Sequence, residues 1–522
     1  MAGREPGAAR VGGAGGRVGR ARSGGRGRGG RIVSGRLPGI AGGRGSDRAE
    51  LSVDEWPLDL FRRTARTVPA YRAFLREHGV EVAAVRTTAD FAALPVMTKE
   101  NYHHRYPLAE RCRDGVLASC DMIAVSSGST GRPGYWPRSA RDEFAAAGRF
   151  EQIFRDSFSA DTRPTLAVVC FPLGTWVGGL YTTSCCRQLA SVGFPVTVIA
   201  PGNNKEEILR VVPELAGSFA QTVLLGYPPF LKDVIDTGAS RGVAWRDMSV
   251  KLVMAGEVFS EQWRDLMSER AGMPRPAYDT AALYGTADAG VLGTETPLSI
   301  TIRRFLAREH DAGQAVFGQS RMPALVQYDP RSRFFEQDGK ALLFSADSGV
   351  PLIRYSIGDE GGLMGYEQLI DVCREHGFDP LADLDGAGGG RGARQLPFAW
   401  IFGRSHLAVS FFGANVFPEN IAAGLEQPEV SGWVTGKFVL EVAEDGDHDR
   451  HLAIAVELGP GEQGGHERRE LAARCILTQL RQLNSEFAHY VPDPYQIPQV
   501  TLLPAGDPAY FPVGVKHRYT RP

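Results

Sequence analysis

The chain has 522 residues, 43% hydrophobic and 23% charged, proportions that exclude a collagen, a coiled coil and a wholly disordered protein. Its net charge of -2 hides unlike parts: residues 1–50 carry 11 Arg, no Lys and 3 acids, which leaves 47 basic and 57 acidic residues for the remainder. A body this acidic is ill suited to a polyphosphate backbone, so no nucleic-acid partner is expected. Seven Cys without a C-x-x-C spacing make no disulfide framework.

Residues 1–51, with strings such as SGGRGRGGR, hold too few large apolar side chains to offset chain entropy and read as a disordered Arg/Gly-rich tail. The formal G-x-G-x-x-G at Gly25, Gly27 and Gly30 has no strand before it and no helix after it, so it is not a dinucleotide fingerprint. The tail lacks the apolar core of a secretory signal, and the cytoplasm is the expected address.

From residue 52 the pattern predicts a helix over 56–78, a short strand at 122–125 and a helix over 140–158. Apolar strands follow at 165–171, 196–199, 222–227 and 250–255, separated by helical stretches, the signature of a mostly parallel sheet covered on both faces. The uncharged run 164–186 contains Pro164, Pro172, Gly174, Gly178 and Gly179, which suits a buried strand, turn and helix and not a membrane span. Shorter strands and hairpins begin near Phe344, and the Gly-rich stretch 384–394 reads as a loop. Beyond Gly403, strands at 433–442, 451–458 and 499–503 and a helix over 467–486 predict a small α+β unit.

The most specific string is SSGSTGRPG at 126–134, directly after the first strand. Small hydroxyl residues and glycines let successive N–H groups and hydroxyls converge on one anion, and Arg132 adds a fixed positive charge. Taken alone the string is equally a surface turn, and it is not a Walker loop.

A strand followed by [ST]SG[ST]TGxP resembles the phosphate-binding loop of the adenylate-forming superfamily, which includes acyl-coenzyme A synthetases, luciferases and peptide-synthetase adenylation domains. Downstream, in that superfamily's order, come AGE (255–257), YGTAD (284–288), RYSIGDEG (354–361), GRSHLAVSFFGANVFPENI (403–421) and Lys516 in VGVKHR. The lead-in LPVMTKENYHHRYP (94–107), the place of Arg132 and the spacing from GR to GANVFP are similar to the phenylacetate-coenzyme A ligase branch.

The resemblance implies an α/β adenylate-forming ligase fold, with an ATP- and acyl-binding domain over 52–402 and a small mobile α+β domain over 403–522. It implies activation of a small carboxylic acid, aromatic acids included, by ATP and Mg²⁺ to an acyl-adenylate, then transfer to coenzyme A. A carrier-protein thiol or an amine as acceptor, and a non-catalytic nucleotide-binding member, stay open. Ser126, Ser127, Gly128, Ser129, Thr130, Gly131 and Arg132 would hold phosphates, with Thr130 also catalytic. Ala255, Gly256, Glu257, Tyr284, Gly285 and Thr286 would take the adenine side of ATP, Asp359 the ribose hydroxyls and Asp288 the Mg²⁺. Arg404 would contact the ribose or phosphates, Lys516 would insert between the carboxylate and the α-phosphate and stabilise the charge that develops there, and His406 would lie at the hinge. Trp176, Gly179, Tyr181, Tyr227 and Gly290 would line the acyl pocket.

Without the resemblance, Asp288 reads as a helix N-cap, Tyr284 as core, Asp359 as a turn residue and Lys516 as a solvated side chain near the end. Ala287, where the family has a hydroxyl residue, Asp288 in place of Glu, and His406 depart from the family pattern.

Overall fold

In the computed structural model, which describes residues 52–125, 134–175, 177–319, 321–388, 390–404, 409–412, 414–444, 450–484, 487–488, 491–512 and 517–520, the apolar runs after residue 160 build one large sheet. A separate hairpin precedes it, β1 (Met122–Val125) with β2 (Tyr135–Arg138). The sheet begins with β3 (Thr165–Val169), β4 (Val196–Ile199), β5 (Gln221–Gly226), β6 (Val250–Ala255) and β7 (Thr280–Thr286). These pair in parallel in the order β4-β3-β5-β6-β7. Helices link them, and β3 and β5 are buried along their whole length, which suits their largely apolar sequences; the amide nitrogen of the buried Gln221 that opens β5 donates to Phe158 O and Thr165 Oγ1.

The remaining strands alternate in direction. β8 (Gly290–Thr294), β9 (Ala324–Gln327), β10 (Arg333–Asp338), β11 (Ala341–Ala346), β12 (Leu352–Met364) and β13 (Phe398–Arg404) extend the sheet antiparallel, in the order β7-β8-β9-β13-β12-β11-β10. The expectation of a mostly parallel sheet therefore holds only up to β7. The turn at 287–289 folds the chain straight back on itself, so β8 pairs with β7 without a crossover helix.

Three local expectations are corrected. The helix expected over 56–78 is two, Glu55–Thr67 and Pro69–Glu77, because Pro69 donates no hydrogen bond and holds Val68 extended. The helix expected over 140–158 ends at Gln152 and continues as one wider turn, Ile153–Ser157. The Gly-rich stretch expected as a loop is entered by a helix, Pro380–Gly388, whose Leu384 is fully buried against Leu298, Phe305 and Phe398.

After the hairpin β14 (Val409–Phe411) and β15 (Ala414–Val416), strands β16 (Val434–Glu444), β17 (Arg450–Leu458) and β18 (Gln499–Leu503) form a three-stranded sheet. With helices Pro418–Leu425 and His466–Leu483 they enclose a core made solely of residues after 408, centred on Phe438, Ile454 and Ile476. β13 runs two residues past the expected boundary at 402, and its last residue, Arg404, stands opposite Asp359 in the ladder. Among the described residues, no helix is long and apolar enough to cross a membrane.

Candidate functional site

In an open parallel sheet the loops after the carboxyl ends of the strands converge on one crevice. Here those ends supply Tyr227 after β5, Gly256 and Glu257 after β6, and Tyr284, Gly285 and Thr286 at the end of β7. Gly256 has φ +90°, and a Cβ there would stand 2.5 Å from Tyr227 Cε1, so only glycine lets this loop lie across the ring. The ring is fixed from the other side by Phe171, edge-on at 5.2 Å, and burial pushes the Tyr227 hydroxyl up to about 12.

Two carboxylates and two phenols make the polar centre of the crevice. Tyr284 donates to Asp359 Oδ2 at 2.8 Å, and Tyr355 donates to Asp288 Oδ2 at 2.8 Å. Each Tyr precedes one Asp by four residues and bonds the other, so β7 with its following turn is cross-tied to β12. Both carboxylates are buried, Asp288 to 4% exposure and Asp359 to 7%. The Tyr284 ring lies stacked over Phe335 at 6.4 Å. Asp288 occupies the turn between two strands, which corrects the N-cap reading, and Tyr284 is part-buried with its hydroxyl engaged, which corrects the core reading.

Cations surround this pair. Lys99 Nζ lies 3.7 Å from Asp288 Oδ2, carried on a turn held by reciprocal bonds between Thr98 and Asn101 of 2.7 and 3.1 Å. Arg138, at the end of β2, donates to Ala287 O at 2.6 Å, and Arg333 donates to Ala289 O at 3.0 Å and Val291 O at 3.2 Å. Both guanidiniums are buried, and burial lowers the Arg333 pKa. Behind them His103 stacks on Trp136 at 4.1 Å; burial first, and then the Arg111 charge, hold its imidazole neutral with a pKa near 3.

The last described segment closes over the same ridge. Tyr519 donates its phenol to Glu257, and Leu440 N donates to Tyr519 O at 2.7 Å. His517 contacts Phe438 O at 2.7 Å, and burial lowers its pKa to about 4. Nearby, Ser260 at the start of helix Glu261–Ala271 donates to Glu426 at the end of helix Pro418–Leu425. Burial raises the Glu426 carboxyl to about 7, and the Arg303 charge opposes that rise only in part.

Of the residues expected in the site, the structure gathers Ala255, Gly256, Glu257, Tyr227, Tyr284, Gly285, Thr286, Asp288, Gly290 and Asp359 along one edge of the sheet. Thr286 Oγ1 accepts from Ala289 N at 3.0 Å and so shapes the turn that holds Asp288. Gly179 and Tyr181 stand on helix Val177–Ser191, where a Cβ on Gly179 would collide with Pro172 O. Arg404 is placed by its strand alone. Ser126 to Arg132, Trp176, His406 and Lys516 lie outside the described residues.

Sequence reading missed Lys99, Arg138, Arg333 and Tyr355. Two of these were in view: Lys99 lies inside LPVMTKENYHHRYP, and the shared spacing Y-x-x-x-D in YGTAD and YSIGD marks both tyrosines.

No protein-family model matches the chain. In sequence it is 23% identical over 300 residues to the phenylacetate-coenzyme A ligase of Thermus thermophilus, a match that covers 56% of this chain and 60% of that protein. The match thus spans about three-fifths of the relative's length. In structure it is similar to 2-hydroxyisobutyryl-CoA ligase in the postadenylation state in complex with 2-HIB-AMP, with a TM-score of 0.60 at 15% identity over 90% of this chain and 88% of the other. It is also similar to an acyl acid amido synthetase in complex with 2,4-DB, with a TM-score of 0.52 at 13% identity over 87% and 86% of the two chains. The chain therefore has the fold of the adenylate-forming ligases, and its sequence is similar to their phenylacetate-coenzyme A ligase branch.

Proposed function

We propose that the protein activates a small carboxylic acid with ATP, releasing pyrophosphate, and passes the acyl group from the acyl-adenylate to the thiol of coenzyme A. The observation that carries this reading is the crossed pair Tyr284–Asp359 and Tyr355–Asp288 at the carboxyl edge of the sheet, with the part-buried Lys99 beside Asp288 and the buried Arg138 on Ala287 O. The likeness to the phenylacetate-coenzyme A ligase and to a ligase bound to an acyl-adenylate supports it.

The reaction brings two anions together, a carboxylate and the α-phosphate, so its barrier is lowered chiefly by fixed positive charge and by positioning. Asp359 would accept hydrogen bonds from the ribose hydroxyls, and the phenol of Tyr284 on its other oxygen fixes its plane. Adenine would lie along 255–257, where Gly256 keeps the backbone low. Lys99 would balance phosphate charge beside Asp288.

Mg²⁺ fits the donor chemistry at Asp288, because a hard cation bound with ATP needs one or two carboxylates and takes its other oxygens from phosphate and water. When bound it would draw negative charge off the leaving pyrophosphate. The loop at 126–132, Arg404 and Lys516 would supply further contacts to phosphate. The part after residue 403 would turn after adenylation to admit the acceptor, with His406 at the hinge.

The test is acid-dependent ATP–pyrophosphate exchange by the full chain across aromatic and aliphatic acids, beside Asp288→Ala and Lys516→Ala. Exchange that is lost in both variants is the expected result, and exchange with none of the acids overturns the reading. AMP release that requires coenzyme A, and not an amine or a carrier protein, identifies the acceptor.

A further inference from the structure

Arg354 stands in the buried first half of β12 and yet has φ +47°, a left-handed conformation that glycine takes far more readily than a residue with a side chain. It belongs to a bulge. Between the pairs Phe344 with Tyr355 and Ala346 with Leu352, the single residue Ser345 of β11 faces both Ile353 and Arg354 of β12. Glycine is the usual occupant of the left-handed place in such a bulge, and bulges beside active sites re-aim side chains. An arginine held there against its backbone preference points to a task for its side chain.

The bonds of Arg354 show that task. Its N–H donates to Ser345 Oγ at 2.9 Å, and its carbonyl accepts from Met97 N at 3.1 Å. Its guanidinium donates through Nε to Glu336 Oε1 at 3.0 Å and through Nη1 to Leu94 O. One buried residue thus grips the segment 94–97 at both ends and ties it to β10 and β11. Ser356 N donates to Met97 O at 2.9 Å, which completes a parallel bridge between Met97 and Tyr355.

That bridge delivers two side chains to one atom. Two residues beyond Met97, Lys99 Nζ lies 3.7 Å from Asp288 Oδ2, and Tyr355, which faces Met97 in the bridge, donates to the same oxygen at 2.8 Å. The chain from Met97 to Lys99 has little slack, because Asn101 donates to Val96 O at 2.9 Å and accepts from Thr98 N at 2.7 Å. A displacement of 94–97 along β12 therefore carries Lys99 off Asp288, and a straightened bulge changes the face on which Tyr355 stands.

We propose that Arg354 is a positioning residue of the adenylating site, whose left-handed bulge and forked guanidinium lock 94–97 onto β12 so that Lys99 and Tyr355 meet on Asp288. This rests on the adenylating reading for the chemistry at Asp288. Arg354 acts through those two side chains and touches no reacting atom.

The experiment measures ATP–pyrophosphate exchange and melting temperature in the full chain, in Arg354→Gly and Arg354→Ala, and with Lys99→Met added to wild type and to Arg354→Gly. Arg354→Gly should melt above Arg354→Ala, since glycine relieves the left-handed strain, yet kcat should fall alike in both, by about tenfold to a hundredfold. Lys99→Met should lower kcat in the wild-type background and have little effect in Arg354→Gly, where Lys99 is already displaced. Exchange that recovers along with melting temperature in Arg354→Gly, or a Lys99→Met loss that is equal in both backgrounds, overturns the proposal. Arg354→Lys, which cannot fork to both Glu336 and Leu94 O, takes their place in the same comparison where neither variant folds. If wild type supports exchange with none of the acids, the adenylating reading fails, and the urea unfolding cycle of Lys99→Met with Asp288→Asn decides the clamp. Coupling present in wild type and lost in Arg354→Gly sustains it; coupling absent from wild type, or equal in both, overturns it.

Discussion

Tyr355 holds the buried carboxylate of Asp288 at 2.8 Å, and the reverse tie, Tyr284 to Asp359, has the same length. Because each strand lends its tyrosine to the other's acid, the two carboxylates cannot shift independently. Removal of either hydroxyl leaves a buried acceptor short of a donor. Tyr355→Phe and Tyr284→Phe should each lower stability in urea unfolding by about 1–3 kcal/mol. In kinetics they should part: Tyr284→Phe raises KM for ATP, whereas Tyr355→Phe acts mainly on kcat. Equal effects on both constants in both variants would contradict separate ribose and phosphate roles.

Lys99 sits 3.7 Å from Asp288 and is only part-exposed, so its charge is weakly screened. Lys99→Met should cut kcat for exchange by about tenfold or more. It should also shift the Mg²⁺ titration to lower concentration, since a competing cation at Asp288 is gone. A titration midpoint that stays in place would show that Lys99 and the metal do not share that carboxylate.

The strands were legible where burial on both faces left largely apolar runs, as in β3, and in β6 despite its buried Lys251, and β18 agrees end to end with the expected 499–503. Their direction was not: the chain reverses in the local β7–β8 hairpin at 287–289, and the sequence reading placed no strand at 290–294. Leu384 illustrates a limit of local pattern: a Gly-rich composition predicts a loop, and tertiary burial of one leucine overrides it. In the site, residues inside quoted motifs were found, including both acids. Arg138 was missed because its meaning arises only when β2 meets the 287–290 turn across about 150 residues, a distance that no motif spans.

Glu426 gives the contact between helices Pro418–Leu425 and Glu261–Ala271 a pH dependence. Its folded pKa is raised to about 7, mainly by burial, while Ser260 and Arg303 oppose the shift and Tyr519 faces it from the C-terminal segment. A raised carboxyl pKa means that the folded state holds the proton more tightly. The contribution is thus complete below the ordinary carboxylate range and is lost as pH rises through about 7. The difference in melting temperature between wild type and Glu426→Gln should therefore grow from pH 5 to pH 8, with wild type falling behind. A difference that is flat over that window would refute the assignment.

Glu261 tests the scaffold behind the site. It lies between Arg264 and Arg303, and Arg264 also bonds Glu295 at 2.7 Å, all buried. Burial alone would raise the Glu261 pKa, but the two arginines outweigh it and hold the carboxyl down at about 2. Glu261→Gln leaves those guanidiniums underbalanced and should cost about 3–5 kcal/mol, measured as a lower urea midpoint. Because the depressed pKa contributes above the ordinary carboxylate range and is lost toward about 2, the wild-type advantage should shrink in acid.

Tyr519 links the C-terminal segment to the ridge at 255–257. Its phenol bonds Glu257, its carbonyl accepts from Leu440, and its ring packs 4.9 Å from that of Phe438. Three residues upstream stands Lys516, whose proposed task requires the end of the chain to lie against 255–257 during adenylation. Tyr519→Phe keeps the ring packing and removes the tie to Glu257. ATP–pyrophosphate exchange should fall by about tenfold, the value of one charge-assisted hydrogen bond. Thioester formation from preformed acyl-adenylate should fall less, because in the proposed reaction that half would follow a swing that takes Lys516 away from the phosphate. Equal losses in both half-reactions would place Tyr519 in general support of the fold and separate it from the timing of Lys516.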